Sequence, residues 1–260
     1  MHNPNVIKDG VIMMIIDSHC HLKHGDAQRT EYSAETIVKI MDAIGIDKSV
    51  VFAISTTTSC SIEMARKAVE EFPDRLIPYV YALPSYTDVV LSQLENAILL
   101  YGFRGIKIHA GECTLAEYII DPVIDLAGRI DVPCLIDCLG RYETIDRIAK
   151  KFNKTKIIIA HFGQYLSRDE SLIERFIRLA EEHDNVFLDT SGVVIVSKIK
   201  EAVKRIGAER IIFGIDGPHE SPDLITFAQA ELDKIRMLNL NPQDENAIIG
   251  GNIANLLHIQ

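Results

Sequence analysis

The sequence predicts an α/β protein, a single (β/α)8 barrel over residues 13–260 with an extra C-terminal helix, preceded by an N-terminal extension over residues 1–12. Three observations carry this reading. Short, nearly continuous β-branched runs recur eight times, each followed by a helical stretch. Strands apolar on both faces belong to parallel sheets, and right-handed crossovers close eight such units into a barrel. The length fits, since one α/β barrel takes roughly 200–250 residues. Polar side chains gather at the C-terminal ends of the runs, where barrels build their active sites. An open doubly wound sheet is the competing architecture. No repeat, linker, low-complexity tract or charge block divides the chain.

The first strand is Ile15-Ile16-Asp17-Ser18-His19-Cys20-His21-Leu22, followed by the polar loop Lys23–Tyr32. Ser33–Ile44 then repeats Ile37, Ile40, Met41 and Ile44 at helical spacing, with Ser33 as its cap and Gly45 as its end. Ser49–Ile54 is strand two, Ser61–Phe72 its helix, Leu76–Leu83 strand three and Asp88–Tyr101 its helix. Strand four is Phe103–His109, and Asp121-Pro122 marks a helix start because aspartate accepts from free N–H groups and proline is tolerated at the first helical position. Strands five to eight are Val132–Cys138, Lys156–His161, Asn185–Thr190 and Arg210–Asp216. Their helices cover Tyr142–Phe152, Ser171–Glu182, Ser197–Ile206 and a stretch from the cap Ser221-Pro222 through Leu238. Asn241-Pro242 opens the terminal helix, ending near Leu257.

Composition narrows the function. Lys plus Arg number 27 against 37 Asp plus Glu, a formal charge of −10, so nothing steers the protein toward nucleic acid. The five cysteines are scattered without a C-x-x-C pair, which excludes a disulfide framework and a zinc ribbon and suits a reducing cytoplasm. No signal peptide and no apolar run of about eighteen residues is present, so no membrane partner is expected. The expected partner is a small-molecule substrate, with a homodimer left open.

The strand ends hold a metal-ligand inventory: His19 and His21, Lys107 and His109, Asp137, His161, Asp189 and Asp216. His19 and His21 share one face of their strand, about 7 Å apart, with Cys20 on the other. Two imidazoles so placed can share a metal ion, although an isolated His-x-His reads equally well as two unrelated polar residues at a strand end. Barrel closure decides between these, because it makes strand eight a neighbour of strand one and brings Asp216 beside the pair. An aspartate there binds metal with one oxygen and takes a proton with the other, while a divalent ion lowers the pKa of water to about 7. His24 and His219, in loops beside the mouth, either touch substrate or, the commoner case, lie on the surface; His2 in the tail, His183 at a helix end and His258 near the C-terminus carry no sign of a role. Cys113 and Cys138 read as buried thiols.

These motifs, I-D-S-H-C-H-L, F-R-G-I-K-I-H-A, I-I-I-A-H-F-G, N-V-F-L-D-T-S-G, R-I-I-F-G-I-D-G-P and N-I-A-N-L-L, run in one order along the chain and resemble the amidohydrolase superfamily. Within it they are similar to the amidohydrolase-related branch that includes aminocarboxymuconate-semialdehyde decarboxylase. The resemblance implies that His19, His21 and Asp216 ligate the metal, that Asp216 also shuttles protons, and that His161 polarises substrate or positions water. It also implies one divalent cofactor, zinc first, with manganese or iron as alternatives.

One position departs: the family ends strand five with a metal-binding histidine, and this chain has Asp137. Three readings compete. Asp137 replaces the histidine as an oxygen ligand, or it pairs with Lys107 and leaves His161 to complete the site, or metal binding is lost. Lys107 serves as a balancing cation or, as in binuclear members, a carboxylated bridge. His109, Lys107 and Arg141 are the candidate substrate contacts, with Arg168 a further cation near the mouth, and Asp189 is either a partner behind the ligands or a structural cap for strand seven.

The leading function is metal-dependent hydrolysis of a small carboxylate, amide, ester or lactone. Non-oxidative decarboxylation uses the same site. A nuclease is the third reading, because I-D-S-H-C-H-L also resembles the opening of TatD-type deoxyribonucleases, which carry a glutamate where this chain has Lys107 and His109. A non-catalytic ligand-binding barrel is the fourth.

Overall fold

A computed structural model describes residues 14–259, and the extension predicted over residues 1–12 lies outside that range. Eight parallel strands stand side by side in chain order: β1 (Ile16–Lys23), β2 (Lys48–Ala53), β3 (Leu76–Tyr81), β4 (Gly105–His109), β5 (Cys134–Asp137), β6 (Ile157–Ile159), β7 (Val186–Asp189) and β8 (Ile211–Ile212). Helices α1 (Ala34–Ile44), α2 (Thr58–Glu71), α3 (Leu91–Tyr101), α4 (Glu117–Arg129), α5 (Tyr142–Lys151), α6 (Glu170–Glu182), α7 (Val196–Ile206) and α8 (Leu224–Arg236) follow them in turn. The ring closes through Ser18 N–H to the Phe213 carbonyl (3.1 Å), Asp216 N–H to His19 (2.7 Å) and His21 N–H to Gly217 (2.7 Å). This is the (β/α)8 barrel, and closure puts Asp216 beside β1.

Alternation along each strand divides the core. Phe52, Tyr79, Tyr81, Leu135, Ile158 and Ile212 form one buried cluster with the barrel-filling residues. Their neighbours Val51, Val80, Ile136, Ile157 and Ile211 belong to the larger cluster against the helices. Burying a Val, Leu, Ile or Phe side chain is worth about 1.5–3 kcal/mol, so both layers stabilise the closed ring strongly. No helix among the described residues is long and apolar enough to cross a membrane.

Several boundaries differ from the sequence reading. α4 starts four residues before the predicted Asp121-Pro122, at Glu117, and carries Pro122 inside it. Asp121 does not cap, because its carboxylate is taken by Arg147 (2.9 Å) and Lys151 (2.7 Å) from α5. At α8 the cap is Asp223, which accepts from Ile225 and Thr226 N–H, and not Ser221. The terminal helix breaks into α9 (Pro242–Asn246), a π turn (Ala247–Gly251) and α10 (Asn252–Leu257). The break seats Gly250 on β1's entry: a Cβ there would lie 1.8 Å from the Met14 carbonyl oxygen. Strands β6 and β8 are shorter than predicted, since His161 and Phe162 (φ 59° and 52°) and Asp216 (φ 59°) turn left-handed at the rim. Side chains held in that region cost about 1–3 kcal/mol each and collect at functional sites.

Candidate active site

β1 supplies the first two imidazoles. A register shift between Asp17 and Cys20 turns Asp17 away from the barrel axis. From there its Oδ1 accepts the N–H groups of His19 (3.0 Å) and Ile215 (2.9 Å). One buried carboxylate thus ties β1 to the segment after β8, and burial pushes its pKa up to about 6 despite those bonds.

Asp216 stands at the centre. Its Oδ1 lies 3.0 Å from His19 Nε2 and 2.8 Å from His21 Nε2. Its Oδ2 faces the cleft between His161 Nε2 and His219 Nε2, each 3.9 Å away. Burial alone would raise this carboxyl, but the His19 and His161 rings override it and hold the group well below the usual carboxylate range. Burial also drives His21 well below its ordinary value, so it stays a neutral imidazole able to donate a lone pair.

Behind this layer, Asp189 at the end of β7 accepts from His19 Nδ1 (2.9 Å) and from Ser191. That bond makes Nδ1 the donor toward Asp189 and leaves Nε2 facing Asp216. Lys107 on β4 is sealed from solvent, with its ammonium 2.9 Å from His19 Nε2 and 5.0 Å from the Phe52 ring centre. Burial lowers its pKa, against the pull of Asp137, Asp216 and Asp189.

Asp137 sits at the end of β5 between His109 and His161. No Lys107 contact holds it; its Oδ2 lies 3.2 Å from His109 Nε2 and 3.4 Å from His161 Nε2, and its Oδ1 accepts Leu139 N–H (3.2 Å). Burial opposes ionisation, yet these histidine bonds keep it an anion. The His109 ring is oriented at its other edge, where Nδ1 accepts Gly111 N–H (3.1 Å). His161 directs Nδ1 to the Ser191 carbonyl (2.9 Å). Burial would lower His161, but Asp216 and Asp137 raise it to about 9.

The donor atoms of His19, His161 and Asp216 all lie within 4.8 Å of one another. Buried nitrogen and oxygen donors converging like this, with His21 against the same Asp216 oxygen, are a fitting cage for a divalent ion. Asp137 lies outside that group of three. The cleft above, of about 260 Å³, is lined by His21, His109, Asp137, His161 and Asp216 among the predicted residues. Lys107 and Arg141, the other expected substrate contacts, do not line it: one is sealed beneath His19 and the other is exposed at the start of α5.

Three features escaped the sequence reading. His24, weighed as a possible substrate contact but read first as a surface residue, is part of the wall, stacked 4.5 Å from His21 and packed 4.9 Å from His219. Tyr165 sets its ring 5.0 Å from His161, in a seat open only because residue 192 is glycine, whose Cβ would lie 2.4 Å from that ring. Asp26 lines the rim. Proximity of His24 and Asp26 to the H-C-H strand was the available signal, and nothing local marked Tyr165.

The amidohydrolase family profile matches residues 16–259. Among solved structures, the chain superposes on an amidohydrolase from Burkholderia multivorans with bound zinc (TM-score 0.76, 14% identity, covering 95% of this chain and 100% of that one). It superposes also on a probable 2-pyrone-4,6-dicarboxylic acid hydrolase from Acinetobacter baumannii with bound citric acid (0.72, 16%, 95% and 100%). A third is a dihydroxybenzoic acid decarboxylase from a Polaromonas species with bound manganese and an inhibitor (0.72, 18%, 95% and 97%). At these identities the likeness establishes the fold. Among curated sequences, 153 residues (58% of the chain) align at 24% identity with 46% of the alpha-soluble NSF attachment protein of Vitis vinifera, so the chain spans about half the length of that relative.

Proposed function

The chain belongs to the amidohydrolase family, and from that premise we propose that it is a metal-dependent hydrolase acting on a small carboxylate, amide, ester or lactone. The convergence of His19, His161 and Asp216 on one buried point, with His21 beside them, carries the reading. We infer zinc as the ion, with manganese or iron as alternatives: the donors are mostly imidazole nitrogen, and the relatives just described hold zinc or manganese. Such an ion supplies Lewis acidity, polarising a substrate oxygen and lowering the pKa of water from about 15.7 to about 7.

The chain's own residues do the rest. Asp216 has Oδ1 committed to the histidines of β1 and Oδ2 toward the cleft, so Oδ2 is the base that takes the proton of the attacking water. His161 turns Nδ1 to the Ser191 carbonyl, which leaves its Nε2 to hold the ion or polarise the substrate. Asp189 holds His19 in the ligating tautomer. His24, stacked on His21, and His219, packed against His24, shield the charged layer from bulk water.

Elemental analysis of protein purified without added metal, paired with a lactone and ester screen before and after chelation, tests this. About one divalent ion per chain and chelator-sensitive hydrolysis are expected. Asp216→Asn is expected to reduce turnover by a factor of about 100 or more, the lower range of general-base contributions. Protein without a divalent ion, or hydrolysis indifferent to chelation, refutes the metal half. One observation favours decarboxylation as a second reading: with the ion on His19, His21 and Asp216 alone, His161 between Asp137 and Asp216 stays protonated and is placed to protonate a developing carbanion. Release of carbon dioxide from a hydroxybenzoate separates the two. The five unpaired cysteines support a cytoplasmic location.

A further inference from the structure

Ser191 holds two of the site's imidazoles from behind. Its carbonyl accepts His161 Nδ1–H (2.9 Å), and its hydroxyl oxygen lies 3.0 Å from the same nitrogen and 3.2 Å from His19 Nδ1. Gly192, the next residue, carries the seat of the Tyr165 ring. Where residues 190–193 run therefore sets where two imidazoles and one wall of the cleft stand.

That segment, Thr190-Ser191-Gly192-Val193, joins β7 to α7 and has little with which to hold itself. Thr190 and Ser191 are sealed from solvent, Gly192 is left-handed (φ 61°), and Val193 is the one wholly apolar side chain. Buried backbone groups need partners, so the path of such a loop follows whatever bonds to it. On one side Leu166 N–H donates to the Gly192 carbonyl (3.1 Å). The other partners come from α8. Lys234 Nζ donates to the carbonyls of Thr190 (3.0 Å) and Val193 (3.2 Å), which flank Ser191-Gly192, and Glu231 accepts Gly192 N–H (3.1 Å). These two side chains, three residues apart on α8, also bond to each other at 2.6 Å, and Lys234 is buried.

A buried ion pair is weak evidence of stabilisation, because apolar residues of similar volume often serve as well or better. Apolar residues could not bond to the backbone of Thr190, Gly192 and Val193, which is what this pair does. We propose that Glu231 and Lys234 are positioning residues: together they clamp residues 190–193 and, through Ser191 and Gly192, fix the rings of His161 and Tyr165 that face the cleft. Neither lines the cleft itself. Their effect on the ion rests on the hydrolase reading above; the geometry of the loop does not.

The test removes both partners at once from the full chain, Glu231→Leu with Lys234→Met, so that no buried charge is left alone. In metal-free protein carrying isotope-labelled histidine, the NMR signal of His161 Nδ1–H reports the bond to the Ser191 carbonyl. Its frequency is expected to shift, and its exchange with water to quicken by about tenfold or more, as a local opening becomes easier. Zinc affinity, read by competition with a chromophoric chelator, is expected to fall about tenfold, the lower edge of what partners of ligating histidines contribute. A purely stabilising pair would lower the melting temperature and leave both readouts in place. A folded double variant with an unmoved His161 signal, or with zinc affinity within about threefold of the wild type, therefore overturns the proposal. Glu231→Gln keeps an acceptor for Gly192 N–H and answers where the double variant does not fold. It is expected to shift the same signal in the same direction by less, and an unmoved signal there overturns the proposal as well. Wild-type protein that takes up no zinc fails the hydrolase reading instead, and the His161 signal, read without metal, still decides the clamp.

Discussion

Replacing Asp189 by asparagine isolates the contribution of the residue behind the ligands. The side chain is fully buried and accepts three donors: His19 Nδ1 at 2.9 Å, Ser191 N–H at 3.1 Å and the Ser191 hydroxyl. Asparagine has nearly the same shape but presents one acceptor oxygen and one donor nitrogen. If its oxygen keeps His19, its amide faces the Ser191 N–H, donor against donor; if it flips, the amide faces His19 and disfavours the tautomer that ligates. Either way the negative charge polarising His19 is lost. Carboxylates behind metal-bound histidines are worth about 10–100-fold in metal affinity, or roughly 1.4–2.8 kcal/mol. Competition of the variant against a chromophoric chelator near neutral pH reads this directly, and thermal unfolding of the metal-free variant confirms that it folds. An affinity within about twofold of the wild type, in a folded variant, would refute the assignment of Asp189 as the group that orients His19.

Three further outcomes follow from the same geometry. His161 is raised in the folded protein to about 9 from an ordinary 6.5, so its protonated form contributes stability that is complete below pH 6.5 and is lost as pH rises through 9. The urea midpoint of the metal-free protein should therefore fall across that window, and His161→Gln should flatten the fall. Gly192→Ala places a methyl 2.4 Å from the Tyr165 ring at a φ of 61°, so a loss of about 1–3 kcal/mol is expected in thermal melts. A change in the environment of Tyr165 by tyrosine fluorescence should accompany it, and an unchanged melting temperature would contradict this account of the seat. Asn252→Ala removes two donations from one buried amide, to the carbonyls of Ala208 (2.7 Å) and Ile211 (2.8 Å), and should cost about 2–3 kcal/mol in urea unfolding.

The periodicity of the chain was enough for the barrel, because strand and helix patterns are local and eight repetitions of one order admit few packings. It was enough as well for His19 and His21 sharing a face, and for Asp216 meeting them, which follows from closing β8 on β1. The details at Asp121 and Ser221 were misread because a cap is chosen by competition: Arg147 and Lys151 draw Asp121 away, and Asp223 reaches the free N–H groups first. The family pattern supplied an expectation for the end of β5, but only the packed structure decides what Asp137 touches. It lies beside β4 and β6, so His109 and His161 reach it, whereas Lys107 points beneath them to His19. The same holds for His24, His219 and Tyr165, whose places depend on left-handed turns at the rim and on the side chain missing from Gly192. Alternation along a strand is written in the sequence, while the direction of a rim loop is set by contacts between residues far apart in the chain.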